Sequence, residues 1–173
     1  EFVNNENANI RFGAGDHPSK VSSATGCHVR VDAGSDGTSD AIRVDASQQG
    51  YAGAIFRGIT VEWEKTDGRG VISVPQWGGH GSAAFFDCVV YNGGERTPTV
   101  SVSPVPNGDG VVQPPRKAIH LENCSFTGPG RGFICVDRPG SEIVDSCIGM
   151  SNAPISGFET SDVSRSDCRR PSD

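Results

Sequence analysis

The chain has 173 residues, a formal net charge of −6, and 23 glycines and 11 prolines against 7% aromatic residues. That length fits one domain with a real core, and the dense Gly, Pro, Asn and Asp punctuation argues against a helical bundle and for an all-β chain with many tight turns. No apolar run approaches the roughly 18 residues of a membrane span, and the arginines form no basic face, so neither membrane insertion nor nucleic-acid binding is expected.

The chain begins at Glu1 without a methionine, which reads as a processed product or a piece of something longer. From there two kinds of short strand alternate. The first kind is "NIRF" at 9–12, followed by "AIRVD" at 41–45, "VISVP" at 71–75, "TVSVS" at 99–103 and "FICVD" at 133–137. Period-2 alternation gives inward pairs Ile10/Phe12, Ile42/Val44, Ile72/Val74, Val100/Val102 and Ile134/Val136. It leaves Arg11, Arg43, Ser73, Ser101 and Cys135 pointing outward. The second kind is "CHVRVD" at 27–32, "FRGITVEW" at 56–63, "FFDCVVYN" at 85–92, "LENCSFTG" at 121–128 and "VDSCIGMS" at 144–151. Its inward anchors are Val29, Ile59, Cys88, Cys124 and Cys147. One residue before the anchor stand Gly58, Asp87, Asn123 and Ser146, which tolerate a sharp bend. Three before it stand the apolar Phe56, Phe85, Leu121 and Val144. Large–x–bend–anchor–x–apolar is the pattern that a corner between two sheets requires.

First-kind anchors recur every 28 to 34 residues, with variable loops between constant strand cores. Such self-similarity marks a solenoid whose units bury their apolar faces on their neighbours. The motifs "FFDCVVYN", "LENCSFTG" and "VDSCIGMS" resemble the coil repeat of right-handed parallel β-helix proteins of the pectin-lyase-like superfamily. The resemblance spans roughly residues 8–158 and implies about five rungs. It places the domain at 1–158 and leaves 159–173 as a polar C-terminal tail or linker. Lyases, hydrolases, epimerases, phage tailspikes and non-catalytic surface proteins all share that fold, so the resemblance does not select an activity.

The register stacks Cys88, Cys124 and Cys147 as a ladder of buried free thiols. Cys135 points outward, and Cys27 and Cys168 lie near the ends with no assigned partner. No CxxC pair occurs and the four histidines are dispersed, so no metal is expected. The loop "DAGSDGTSD" at 32–40 partly mimics a calcium loop through Asp32, Asp36, Gly37 and Asp40, but Arg43 stands where a bidentate Glu belongs. The expectation is no cofactor, with calcium the one to consider.

Three sets of residues are candidates for function. Gly79–Ser82 resembles the Gly-His-Gly element of polygalacturonases, which makes His80 a candidate catalytic group. The paired aspartates that inverting hydrolysis would need are missing, and the element sits where a loop must turn. In the second-kind motif Glu122 and Asp145 are expected as outward neighbours on adjacent rungs with His120 close by, a possible acid/base set. Trp63, Trp77 and Tyr91 follow inward strand residues at turn edges and are expected to be part-exposed platforms for sugar rings. The insertion at 103–117 should project from the stack, where recognition commonly sits.

These readings converge on an extracellular, secreted or virion-surface module that binds a glycan or cell-surface polysaccharide. It is expected as a homo-oligomer, a trimer or larger assembly, since an uncapped β-helix exposes unpaired backbone at its ends. The rival reading is a polysaccharide lyase or glycoside hydrolase acting on an acidic polysaccharide. A purely structural spacer is the third.

Overall fold

The computed structural model describes residues 1–5, 7–12, 21–44, 53–75, 82–104, 119–151 and 153–171. Strand β1 (Phe2–Val3) comes first, and the chain then visits three sheets in a repeating order. The first full coil is β2 (Asn7–Phe12), β3 (Val21–Thr25) and β4 (His28–Val31), and the second is β5 (Thr38–Val44), β6 (Gly53–Arg57) and β7 (Thr60–Trp63). The third is β8 (Gly70–Val74), β9 (Ser82–Phe86) and β10 (Val89–Asn92), and the fourth is β11 (Pro98–Val102), β12 (Ile119–Glu122) and β13 (Ser125–Thr127). The fifth is β14 (Arg131–Cys135), β15 (Glu142–Val144) and β16 (Cys147–Gly149), and β17 (Ile155–Ser156) and β18 (Glu159–Ser161) begin a sixth. Every pairing is parallel and joins strands one coil apart. The molecule is a parallel β-helix with six strands in each sheet, one rung more than the sequence suggested. We call the sheets A (β1, β4, β7, β10, β13, β16), B (β2, β5, β8, β11, β14, β17) and C (β3, β6, β9, β12, β15, β18).

Alternation within each strand supplies the core. In sheet A Val29, Val61, Val90, Phe126 and Ile148 are successive register partners, and all are buried. In sheet C the interior row is Phe56, Phe85, Leu121 and Ile143. The Phe56 and Phe85 rings stack with centroids 4.4 Å apart and planes 6° from parallel, an arrangement that the strand spacing of a parallel sheet favours. Sheet B contributes Ile10, Ile42, Ile72, Val100 and Phe133.

Sheets C and A meet at a one-residue corner in left-handed backbone. Gly26, Gly58, Asp87, Asn123, Asp145 and Asp162 occupy it, with φ between 46° and 62°. Gly adopts this conformation freely, and Asn and Asp do so at lower cost than other side chains. The residue after the corner turns inward, and its carbonyl accepts from the next coil: Thr60 N–H donates to Cys27 O, Val89 N–H to Ile59 O, Ser125 N–H to Cys88 O and Cys147 N–H to Cys124 O.

This geometry corrects four expectations. The corner of the fifth coil is Asp145 and not Ser146, so Ser146 is the anchor and Ile143, not Val144, is the large inward residue. Cys147 therefore leaves the thiol ladder; it begins β16 and forms a disulfide with Cys168, with Cα atoms 5.3 Å apart. Cys27 takes the corresponding anchor place in the first coil, where Val29 was expected. In β14 the parity is reversed: Val100 pairs with Phe133, Phe133 and Cys135 are buried, and Ile134 and Val136 are 40% and 41% exposed. Four consecutive apolar residues, Phe-Ile-Cys-Val, carry no alternation to read, and the larger ring takes the interior, edge-on to Phe126 at 4.9 Å.

Strand pairing also continues past residue 158. β18 pairs with β15, and Ser164 bridges Cys147, so residues 159–164 of the segment expected as a tail are built onto the last coil.

Candidate functional site

On the outside of sheet C two rows of side chains run along the helix axis, one residue per coil. One is Ile55, Ala84, His120, Glu142 and Glu159, and the other is Arg57, Phe86, Glu122, Val144 and Ser161. β12 shows why: Ile119 and Leu121 are buried, which turns His120 and Glu122 outward. Two positions apart on one strand, they meet the register partner of His120, which is Glu142.

The His120 ring is held from both sides. Nδ1 lies 2.7 Å from Glu142 Oε1 and Nε2 lies 2.8 Å from Glu122 Oε2. Side-chain exposure is 21% for His120, 43% for Glu122 and 26% for Glu142, so ligand can reach the cluster while the ring stays fixed. A carboxylate only accepts, so both contacts are hydrogen bonds when each ring nitrogen carries a proton or one carboxyl oxygen does. Phe86 adjoins the imidazole with centroids 5.5 Å apart. The Arg57 guanidinium sits over the Phe86 ring, 4.2 Å from its centroid. Guanidinium, aromatic ring, imidazole and two carboxylates thus form one continuous strip.

Of the residues expected to act together, His120 and Glu122 are joined, and Asp145 is not part of the pair. The register partner of Glu122 is Val144, and Asp145 is the exposed corner residue beside it. Glu142 takes the expected place of Asp145. The signal was present in the chain: counted from corner to corner, Asn123 to Asp145, the coil is 22 residues, which carries His120 onto Glu142. Counting from cysteine to cysteine slips the register by one.

The aromatic residues do not converge on this strip. Trp63 is fully buried, which corrects the expectation of a part-exposed platform. It shares inward parity with Val61, and its Nε1–H donates to Lys65 O at 2.5 Å. Gly68 makes room for the indole, since a Cβ there would fall 2.5 Å from Cζ2. Tyr91 is half-buried on the outer face of sheet A, in a shallow cleft of about 270 Å³ with Glu62, Arg170 and Pro171. On that face His28 Nε2 lies 2.7 Å from Glu62 Oε1. Trp77, His80 and most of the 103–117 insertion lie outside the described residues.

Asp32 and Asp40 of the 32–40 loop are held by their own neighbours, while Asp36 is exposed. Asp32 accepts from Asn4 Nδ2 at 2.8 Å and Arg30 Nε at 2.7 Å, and these contacts hold its carboxyl below the usual range. Asp40 is buried, and desolvation pushes its carboxyl up. Among the described residues no group of three or more His, Cys, Asp or Glu side chains converges as a metal site. Among the described residues no helix is long and apolar enough to cross a membrane. In comparisons with protein-family models, curated proteins and solved structures, nothing matches this chain.

Proposed function

We propose that this chain is a recognition module of the pectin-lyase-like type that binds a glycan along the outer face of sheet C, outside the cell or on a virion surface. The observation that carries the reading is the strip Arg57–Phe86–His120–Glu122–Glu142. Carboxylates and a guanidinium fixed by their neighbours are suited to sugar hydroxyls, and an adjacent aromatic ring suits the apolar face of a sugar. The rungs beneath the strip are close-packed, so the groups are pre-organised and bind with little ordering cost. The Cys147–Cys168 disulfide supports an oxidising, extracellular setting. Exposed Ile134 and Val136 on sheet B support a contact between subunits, as a homo-oligomer such as a trimer requires.

A second reading, a polysaccharide lyase or hydrolase, is favoured by one feature only: an imidazole between two carboxylates can hold and pass a proton. A glycan array followed by product analysis of each bound polysaccharide separates the two. Binding without cleavage, weakened about tenfold or more in Glu122→Gln and Glu142→Gln, is the expected outcome. Shortened or unsaturated products that vanish in the same variants would replace the module with the enzyme. Neither binding nor products would leave a structural spacer.

A further inference from the structure

Residues 162–171 follow β18 and are pinned to the last coils at three points. Ser164 extends sheet A: its N–H donates to Ser146 O and its carbonyl accepts from Ile148 N–H, both at 3.0 Å. Cys168 is bonded to Cys147 on β16. Gly149 lets that disulfide lie against the sheet, since a Cβ there would fall 2.9 Å from Cys168 Sγ. One coil lower, Arg169 O accepts from Ser125 Oγ at 2.9 Å and Arg169 Nη2 donates to Asn123 O at 2.6 Å. Between these pins the chain turns through Asp167, in left-handed backbone at φ 61°, and leaves a cleft of about 290 Å³ against the outer face of sheet A.

The cleft brings Arg165, Asp167 and Arg170 of this segment to Thr127 of β13. Thr127 is only 6% exposed, yet its Oγ1 has no hydrogen-bond partner. A buried hydroxyl without a partner is destabilising, and native structures retain one where water, an ion or a ligand completes it. Two guanidiniums against one carboxylate make the cleft locally cationic, on a chain whose formal net charge is −6. Glu62, in the neighbouring cleft that Arg170 also lines, is engaged by His28 Nε2 at 2.7 Å. The donors come from three separate points of the chain. A carboxylate has two oxygens to offer them, whereas a phosphate or sulfate has three or more. The volume suits one such group and not an extended chain.

We propose that this cleft binds a tetrahedral oxyanion, a phosphate or sulfate group, clamped by Arg165 and Arg170 and completed by the Thr127 hydroxyl. The arginines supply charge-assisted donors, and Thr127 supplies the O–H that the sheet leaves unused. Asp167 offsets one of the two positive charges, which limits the site to a single group. The pins at Ser164, Cys168 and Arg169 fix the turn beforehand, so binding orders little. Tyr91, the register partner of Thr127, lies with Arg170 in the adjoining cleft, where a sugar ring carrying the group would rest. A free ion and a sugar ester share this chemistry, and the test separates them. The inference concerns sheet A and stands apart from the glycan reading of sheet C.

The test is titration of the full, disulfide-intact, ¹⁵N-labelled chain with inorganic phosphate, inorganic sulfate, glucose 6-phosphate and, as a planar control, acetate. Saturable shifts are expected at Thr127, Gly149, Arg165 and Cys168, with acetate about tenfold weaker or worse. Arg165→Gln and Arg170→Gln should each weaken binding about tenfold. Thr127→Val keeps the bulk and removes the hydroxyl, so it should weaken binding severalfold and leave the urea midpoint equal to or above that of the parent. Tighter binding of glucose 6-phosphate would place the group on a sugar, and equal or weaker binding would make it the free ion; both support the site. No saturable shift with phosphate, sulfate or glucose 6-phosphate would overturn it. So would acetate binding as tightly as phosphate, or full affinity in the chain carrying both arginine substitutions.

Discussion

Asp40 is buried against Ser39, whose Oγ donates to Oδ2 at 2.8 Å, while Oδ1 has no partner. Arg69 Nη1 is 3.9 Å away, too far for a hydrogen bond, and Ser73 Oγ is a second buried orphan nearby. Burial raises the Asp40 carboxyl above the ordinary aspartate value of 3.8. The native state therefore holds this proton more tightly than the unfolded chain. Between 3.8 and the raised native value, stability falls as pH rises, and above that window the loss is complete. Asp40→Asn abolishes that slope, and its amide can donate to Ser73. We expect a urea midpoint at pH 7 equal to or above that of the parent, by on the order of 1 kcal/mol, with the difference shrinking towards pH 3. A lower midpoint at pH 7 would mean that the ionised carboxylate is needed by Arg69 and Arg43.

At the scale of elements, the reversed strand β14 gives a clean contrast. Phe133→Ala removes a buried ring and should cost about 3–5 kcal/mol. Ile134→Ser changes a 40% exposed residue and should stay within about 0.5 kcal/mol. Denaturant titration of the two variants decides the register, and equal losses would contradict it. Strands with clear alternation, such as "VISV" and "TVSV", were legible in the chain, as were the bends at Gly58, Asp87 and Asn123. What failed were positions where two readings fit equally well. "FICV" is apolar throughout, and in "VDSC" both Asp145 and Ser146 can turn a corner. Asp145 takes it because its carboxylate relieves the left-handed backbone locally, as the side chains of Asn123 and Asp87 do one and two coils below. That one-residue slip concealed Glu142 and put Cys147 into a thiol ladder it does not join. Trp63 misled for a different reason: an indole at a strand end is buried only when glycines clear space for it, and Gly94, where a Cβ would fall 2.8 Å from its Nε1, lies one coil away.

For the whole molecule, each coil contacts chiefly the coils above and below, so a site spanning several rungs is a row of register partners and not a pocket. The strip on sheet C has that form, with Arg57 on β6, Phe86 on β9, His120 and Glu122 on β12 and Glu142 on β15. The fold was readable from repeat spacing alone. The strip was half readable, because its members are adjacent only through register between coils of unequal length. The most direct test is to titrate a ¹⁵N-labelled chain with the strongest glycan from the array and map the amide shifts. The account predicts saturable shifts centred on Arg57, Phe86, His120, Glu122 and Glu142, lost in His120→Ala. Shifts confined to sheet A around Tyr91, or none at all with a bound glycan, would contradict it.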